Sequence, residues 1–216
     1  MPVNIAEIKV ILFEILDGFL EKNKLFYNEG HLQLVLAEHL AGIYPDANVY
    51  LEESFGSKSI DIVIKNSSNK ALYAIELKYC FKMTDDLKKL VNDYNLKGNT
   101  VKFDAEKPGS GGQTSRRYSF WKDVEKLQEY QHDPNGGCSG CAIFFTNDRT
   151  YWEKVGPTYA SVNFSMHERT VPPGALEWNS NAEHSGVNLI KDYPVNWKPA
   201  LKSESEFRYL MLFVTP

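Results

Sequence analysis

Between Ser59 and Lys78 the chain reads SIDIVIKNSSNKALYAIELK, and this stretch leaves few structural choices. Two apolar runs, 60–65 and 71–78, flank the polar cluster Asn66-Ser67-Ser68-Asn69. That is the pattern of a β-hairpin with a four-residue loop. Such a loop pairs Lys65 with Lys70, and so Asp61 with Ala74. Side chains alternate across a strand, so Asp61, Val63 and Lys65 share a face with Ala74, Glu76 and Lys78. The other face carries Ile60, Ile62, Ile64, Tyr73, Ile75 and Leu77, a wall for a core. Asp61, Glu76 and Lys78 are thereby gathered at one end of one face.

Glu-x-Lys by itself is common on solvated strand faces. Here the surrounding run ALYAIEL is apolar on both faces, which reads as a central, buried strand. A charge in such a strand is paired or metal-bound. Diagonal cross-strand neighbours sit roughly 7–8 Å apart, near enough for two carboxylates to share a cation. A lysine two residues beyond the second acid completes an arrangement suited to phosphodiester hydrolysis.

Asp61 followed by Glu76-Leu77-Lys78 resembles the PD-(D/E)xK nuclease superfamily. An uncharacterised prokaryotic branch is similar also at Ile75–Tyr79 (IELKY), Arg116–Leu127 (RRYSFWKDVEKL), Phe144–Trp152 (FFTNDRTYW) and Phe207–Val214 (FRYLMLFV). The tyrosine expected after the lysine is present as Tyr79, whereas Cys80-Phe81 stands where more polar residues are expected. The resemblance implies an α/β fold with a restriction-endonuclease-like mixed central β-sheet flanked by helices. It implies metal-dependent hydrolysis of nucleic-acid phosphodiester bonds, with DNA favoured over RNA as the partner. Mg²⁺ or Mn²⁺ would be held by Asp61, Glu76 and the backbone carbonyl of Leu77, and Lys78 would orient the attacking water. A first-helix glutamate often completes such a site. Glu29, in NEGHLQ, matches that position, with Glu38 as the alternative. Arg116, Arg117, Lys122 and Gln131 would face the nucleic acid, Arg117 holding a phosphate. Cutting both strands would need two sites, as a homodimer provides. The rival reading is a non-catalytic module on a decayed nuclease fold that binds nucleic acid or protein. Folding is expected to survive alanine at Asp61, Glu76 or Lys78, because crowded carboxylates repel.

Charge is uneven along the chain. The whole carries a formal −4, but residues 78–126 hold 11 Lys or Arg against 7 Asp or Glu. A basic segment just after the proposed active strand is where a phosphate backbone could lie; a solvated helix and loop is the bland alternative. Hydrophobic content of 43% is enough for a core, and the 216 residues read as one domain with an irregular, loop-rich segment at about 151–200. Three cysteines and no signal-like start point to a reducing, cytoplasmic compartment, and no apolar run is long enough for a membrane span. Cys138-Ser139-Gly140-Cys141 is half a zinc site with no second pair, and reads as a Gly-rich loop entering a strand.

The remaining elements follow from periodicity. Ile5, Ile8, Leu12, Ile15 and Phe19 mark a packing helix. Asn28 caps a second helix, with Leu32, Val35, Leu36 and Leu40 as its buried stripe and Glu29 and Gln33 on its edge. Asn48–Phe55 is the first strand. Thr84-Asp85-Asp86 caps a short helix, Gly109–Gly112 ends an irregular excursion read as a mobile loop over the site, and a helix carries Val124, Leu127 and Tyr130–Gln131 inward. Ala142–Thr146 is a buried strand, parallel to the hairpin strand if a helix makes the crossover. Tyr209–Val214 is a last strand. Trp152, Trp178 and Trp197 could stack bases, though packing is the plainer use.

Overall fold

The computed structural model describes residues 5–21, 26–85, 87–89, 112–157, 161–178, 185–198 and 207–215. Two helices lead the chain, α1 (Ile5–Glu21) and α2 (Glu29–Ile43). The α2 cap is Asn28, whose Oδ1 accepts from His31 N at 2.9 Å, satisfying one of the orphan donors of the first turn. Strands β1 (Asn48–Phe55), β2 (Lys58–Lys65) and β3 (Ala71–Cys80) form an antiparallel meander. Thr84 caps the short turn of helix after β3, its Oγ1 accepting from Leu87 N at 3.3 Å. Helix α3 (Gly112–His132) then crosses to β4 (Ser139–Thr146), which lies parallel to β3. The helix begins at Gly112, earlier than the sequence suggests, so Arg116–Lys122 belong to it. Most of the excursion expected to form a mobile loop, Gly109–Gly111 included, lies outside the described residues.

The central sheet is mixed and six-stranded, in the order β1-β2-β3-β4-β10-β9, with β9 (Trp197–Lys198) and β10 (Arg208–Val214) antiparallel to their neighbours. Two short ribbons, β5 (Arg169–Val171) with β8 (Tyr193–Val195) and β6 (Gly174–Leu176) with β7 (Val187–Leu189), order part of the loop-rich segment. The architecture is therefore mixed α/β. One core lies between the sheet and α1–α2, built on Leu12, Phe19, Leu36, Ile62, Ile75 and Phe145. The other lies between the sheet and α3 with the ribbons, built on Phe120, Trp121, Val124, Phe144 and Trp197. The tryptophans serve this second core rather than a base-stacking surface: Trp197 Nε1 donates to Met166 O at 2.6 Å, and Trp178 packs on Phe164 and Tyr118.

The hairpin register differs from the expected one by two residues, in two separate steps. Asn66 N donates to Lys70 O at 3.0 Å, so the loop has three residues rather than four, with Asn69 in the left-handed region at φ 61°. Asn tolerates that conformation, and Asn66 Oδ1 braces the turn by accepting from Ser68 N and Lys70 N. A second shift falls between Ile64 and Lys65, which puts Val63 rather than Asp61 opposite Ala74. A one-residue slip exchanges the faces of a strand, and a second restores them. Ile62, Ile64, Tyr73, Ile75 and Leu77 accordingly face α1–α2, and Val63 and Ala74 face α3. Ile60 departs from its expected wall and lies in the α3 core, because β2 has by then left the regular ladder with β3, which runs from Ile62↔Ile75 to Lys65↔Ala71.

Close approach of β3 and β4 needs a glycine at 140. A Cβ there would stand 2.6 Å from Ala74 O and 3.1 Å from Leu127 Cδ2. Gly140→Ala must therefore push β4 from β3 and from α3, two residues from Glu76. We expect a loss of about 1–3 kcal/mol, read as a lowered urea midpoint with an unchanged slope. An unchanged midpoint would show that the strand spacing is not set at this position.

Candidate functional site

Beyond Ile62↔Ile75 the two hairpin strands part, and a side chain takes over from the backbone. Leu77 N donates to Asp61 Oδ2 at 2.6 Å. The Asp61 carbonyl meanwhile accepts from Gln33 Nε2 of α2 at 2.7 Å, and the same amide donates to Glu52 Oε1 at 2.9 Å. Asp61 is thus held from both sides, at the point where β2 peels off.

Glu29, in the first turn of α2, reaches the end of β3. Its Oε1 accepts from Lys78 Nζ at 3.2 Å and its Oε2 from Tyr79 N at 2.7 Å. An acid in a helix's first turn is also favoured by the helix dipole. Glu38, nine residues further along α2, is exposed. Glu76 lies deep in β3, with 2% of its surface exposed, and pairs with Lys126 of α3 at 2.6 Å. Lys78 lies 3.8 Å from Asp123 Oδ2, and Lys126 lies 3.8 Å from Asp123 Oδ1. The structure therefore brings Asp61, Glu76, Lys78 and Glu29 into one cluster. It adds Asp123 and Lys126, which sequence reasoning missed. They sit three residues apart on α3, one helical turn.

The cluster holds four carboxylates, Glu29, Asp61, Glu76 and Asp123, against two ammonium groups, Lys78 and Lys126. Burial pushes Glu76 up to about 9, and the nearby charges of Asp61 and Asp123 push the same way against Lys126. Burial likewise raises Asp123 to about 7, and raises Asp61 although the Leu77 N–H opposes it. Burial alone would lower Lys78, but Asp123 and Glu29 outweigh it and its affinity for the proton rises. Lys78 is therefore a fixed cation at neutral pH rather than a proton acceptor.

These charges bear on which metal the residues suit. Glu76 Oε1 and Asp123 Oδ2 are buried with no hydrogen-bond partner. Carboxyl groups outnumber ammonium groups by two, and with unsatisfied oxygens and no soft ligand among them they match the donor preference of a divalent hard cation. Asp61, Glu76 and the Leu77 carbonyl are the residues that would hold it. Among the described residues no three His, Cys, Asp or Glu side chains are gathered around one point, and that donor set draws only two of its members from side chains.

The residues expected to face nucleic acid are placed differently. Arg117 is 7% exposed, donates through Nη2 to Thr150 O at 2.6 Å, and lies over the Tyr151 ring. It ties α3 to the turn after β4. Gln131 is buried on the inward side of α3. Lys122 pairs with Glu125 and donates to Gly186 O at 3.3 Å, which spends it on holding the β6–β7 ribbon. Arg116 is half-buried on α3. The helix face sets this outcome: with α3 starting at Gly112, Arg117, Phe120, Val124, Leu127 and Gln131 line one inward stripe. Cys138 and Cys141 are buried thiols, and burial pushes both up to about 12.

No match to this chain was found among protein-family models, curated proteins or solved structures. No helix among the described residues is long and apolar enough to cross a membrane.

Because Asp61 Oδ2 replaces a ladder acceptor, alanine there leaves the Leu77 N–H without its partner. Asp61→Ala is still expected to fold, but with this bond lost. Asp61→Ala should cost about 1–3 kcal/mol, whereas Asp61→Asn keeps an acceptor and sheds a charge, and should equal or exceed the wild type. Chemical denaturation of both variants at pH 7.5 checks the pair. Equal losses would mean that the bond contributes nothing.

Proposed function

We propose that this chain is a metal-dependent phosphodiesterase acting on nucleic acid, with DNA favoured, on a restriction-endonuclease-like version of its mixed sheet. The observation that carries the reading is the convergence of Asp61, Glu76, Lys78 and Glu29 at the parting of β2 and β3. These residues come from three elements, α2, β2 and β3. A cluster of buried carboxylates and lysines costs stability, and such a cost is commonly tied to function.

Mg²⁺ or Mn²⁺, when bound by Asp61, Glu76 and the Leu77 carbonyl, would supply a water of lowered pKa and positive charge for the phosphoryl oxygens. The chain's own residues do the rest. Asp61 fixes the backbone at Leu77 through its N–H. Glu29 orients the Lys78 ammonium and caps the Tyr79 N–H, so that the end of β3 cannot drift. Lys78 stays protonated and acts by charge: it favours hydroxide over water beside it and opposes the negative charge that builds on phosphorus oxygens during attack. Gln33 braces the Asp61 carbonyl from α2.

A second reading has one observation in its favour. Lys126 already satisfies one oxygen of Glu76, as it would in a descendant that binds nucleic acid or protein without cutting. The two readings part on metal binding.

Two measurements follow. Lys78→Ala should keep the heat of Mn²⁺ binding while cleavage of mixed DNA and RNA substrates falls roughly 10²–10³-fold; Glu76→Gln should lose both. Cleavage by Lys78→Ala at the wild-type rate removes Lys78 from the chemistry, and a wild type that neither binds Mn²⁺ nor cleaves leaves the binding module. The second concerns pH. The raised acids bind protons more tightly in the folded chain than in the unfolded one. The stability tied to them is present at and below the ordinary carboxylate range and is lost as pH rises through about 7 and 9. A bound divalent cation favours their ionised forms, so the rise in melting temperature on adding Mn²⁺ should be larger at pH 8 than at pH 5.5. An equal rise at both would detach metal binding from these carboxylates.

A further inference from the structure

Lys126 belongs to neither the sequence pattern nor the roles just assigned. It projects from α3, on the opposite side of β3 from α2, and its Nζ lies 2.6 Å from Glu76 Oε2. It also lies 3.8 Å from Asp123 Oδ1, and its side chain is 20% exposed. Glu76 is 2% exposed and its other oxygen, Oε1, has no hydrogen-bond partner. One oxygen of the buried acid thus faces a tethered cation, and the other is left for a ligand the chain does not supply.

We infer that Lys126 is an internal counter-cation that competes with the divalent metal for Glu76. This rests on the metal-dependent reading above. The physical case is one of charge and geometry. A carboxylate this deep in a sheet is costly unless compensated, and in the metal-free protein the compensation comes from Lys126. A divalent cation at Glu76 would then stand within a few ångströms of the ammonium, and like charges at that separation repel strongly in a poorly hydrated site. Metal can bind fully only as the Lys126 head withdraws, which its flexible four-carbon stem and partial exposure permit. Lys126 would accordingly set metal affinity without being a ligand, and would keep the empty cluster folded. Lys78 cannot fill this place, because Glu29 and Asp123 hold it away from Glu76's oxygens.

The test uses Lys126→Met, which keeps the apolar stem and removes the charge, beside Lys126→Arg, which keeps a cation. Mn²⁺ binding to the full chain is measured by calorimetry at pH 7.5, and melting temperature is followed with and without Mn²⁺. Lys126→Met should bind Mn²⁺ roughly tenfold more tightly, the scale of one charge-assisted hydrogen bond removed from the competition, while Lys126→Arg stays within about threefold of the wild type. Metal-free Lys126→Met should melt lower than the wild type, with Mn²⁺ restoring the difference. A purely structural lysine predicts the opposite second result, a deficit that metal does not repair. Equal or weaker Mn²⁺ binding by Lys126→Met, with the wild type binding, overturns the competition and leaves the metal site standing. Binding by Lys126→Met alone supports it in its strongest form. If neither wild type nor either variant binds Mn²⁺, the metal reading fails and the competition fails with it.

Discussion

The bond from Leu77 N to Asp61 Oδ2 is the joint on which the site depends. A β-ladder continues as long as backbone groups are paired by backbone groups. Where a carboxylate intervenes, one strand can leave without orphaning its neighbour's N–H. β2 departs there, Ile60 turns into the α3 core, and β3 continues between α2 and α3 paired only with β4. The last residues of β3 are thus open to side chains from both helices. Glu29 arrives from one and Asp123 with Lys126 from the other.

Those arrivals make β3 a divider between two kinds of interaction. On one side Glu29 ties together a side chain and a backbone N–H, which is rigid and local. On the other, Glu76, Lys126, Asp123 and Lys78 follow one another in a row of alternating charge with two oxygens unsatisfied. The rigid half positions and the unsatisfied half attracts. Arg117 and Lys122, which look in sequence like phosphate contacts, do neither. They clamp α3 to Thr150 and Gly186, and so keep Asp123 and Lys126 at a constant height over the sheet.

Much of this was legible in the residues. The faces of β2 and β3 follow from period two, and the apolar run around Glu76 marked it as a buried charge in need of a partner. The Asn28 cap and the edge position of Glu29 placed that acid at the mouth of α2. Three things were not legible. The register depended on Asn69 entering the left-handed region and on a shift at Ile64/Lys65, neither of which leaves a compositional trace. The inward stripe of α3 contains Arg117, whose charge masks its burial, whereas Gln131 lies inward as expected. And Asp123 and Lys126 matter through residues 45–50 positions earlier, Lys78 and Glu76, a relation that exists in space and not along the chain.

The paired shifts of the hairpin bear on how such a gene can drift. Each alone would turn Asp61 from the acid cluster toward the α1–α2 oil, and each is harmless in the company of the other. Losing a single codon from the NSSN turn is therefore a different event from losing two. The first demands that the strand find a compensating kink elsewhere, while the second can shorten the ribbon and leave every side chain on its own side. Lengths of this hairpin compatible with a working cluster should come in steps of two, and an odd-length relative should carry its correction within β2 or β3 themselves.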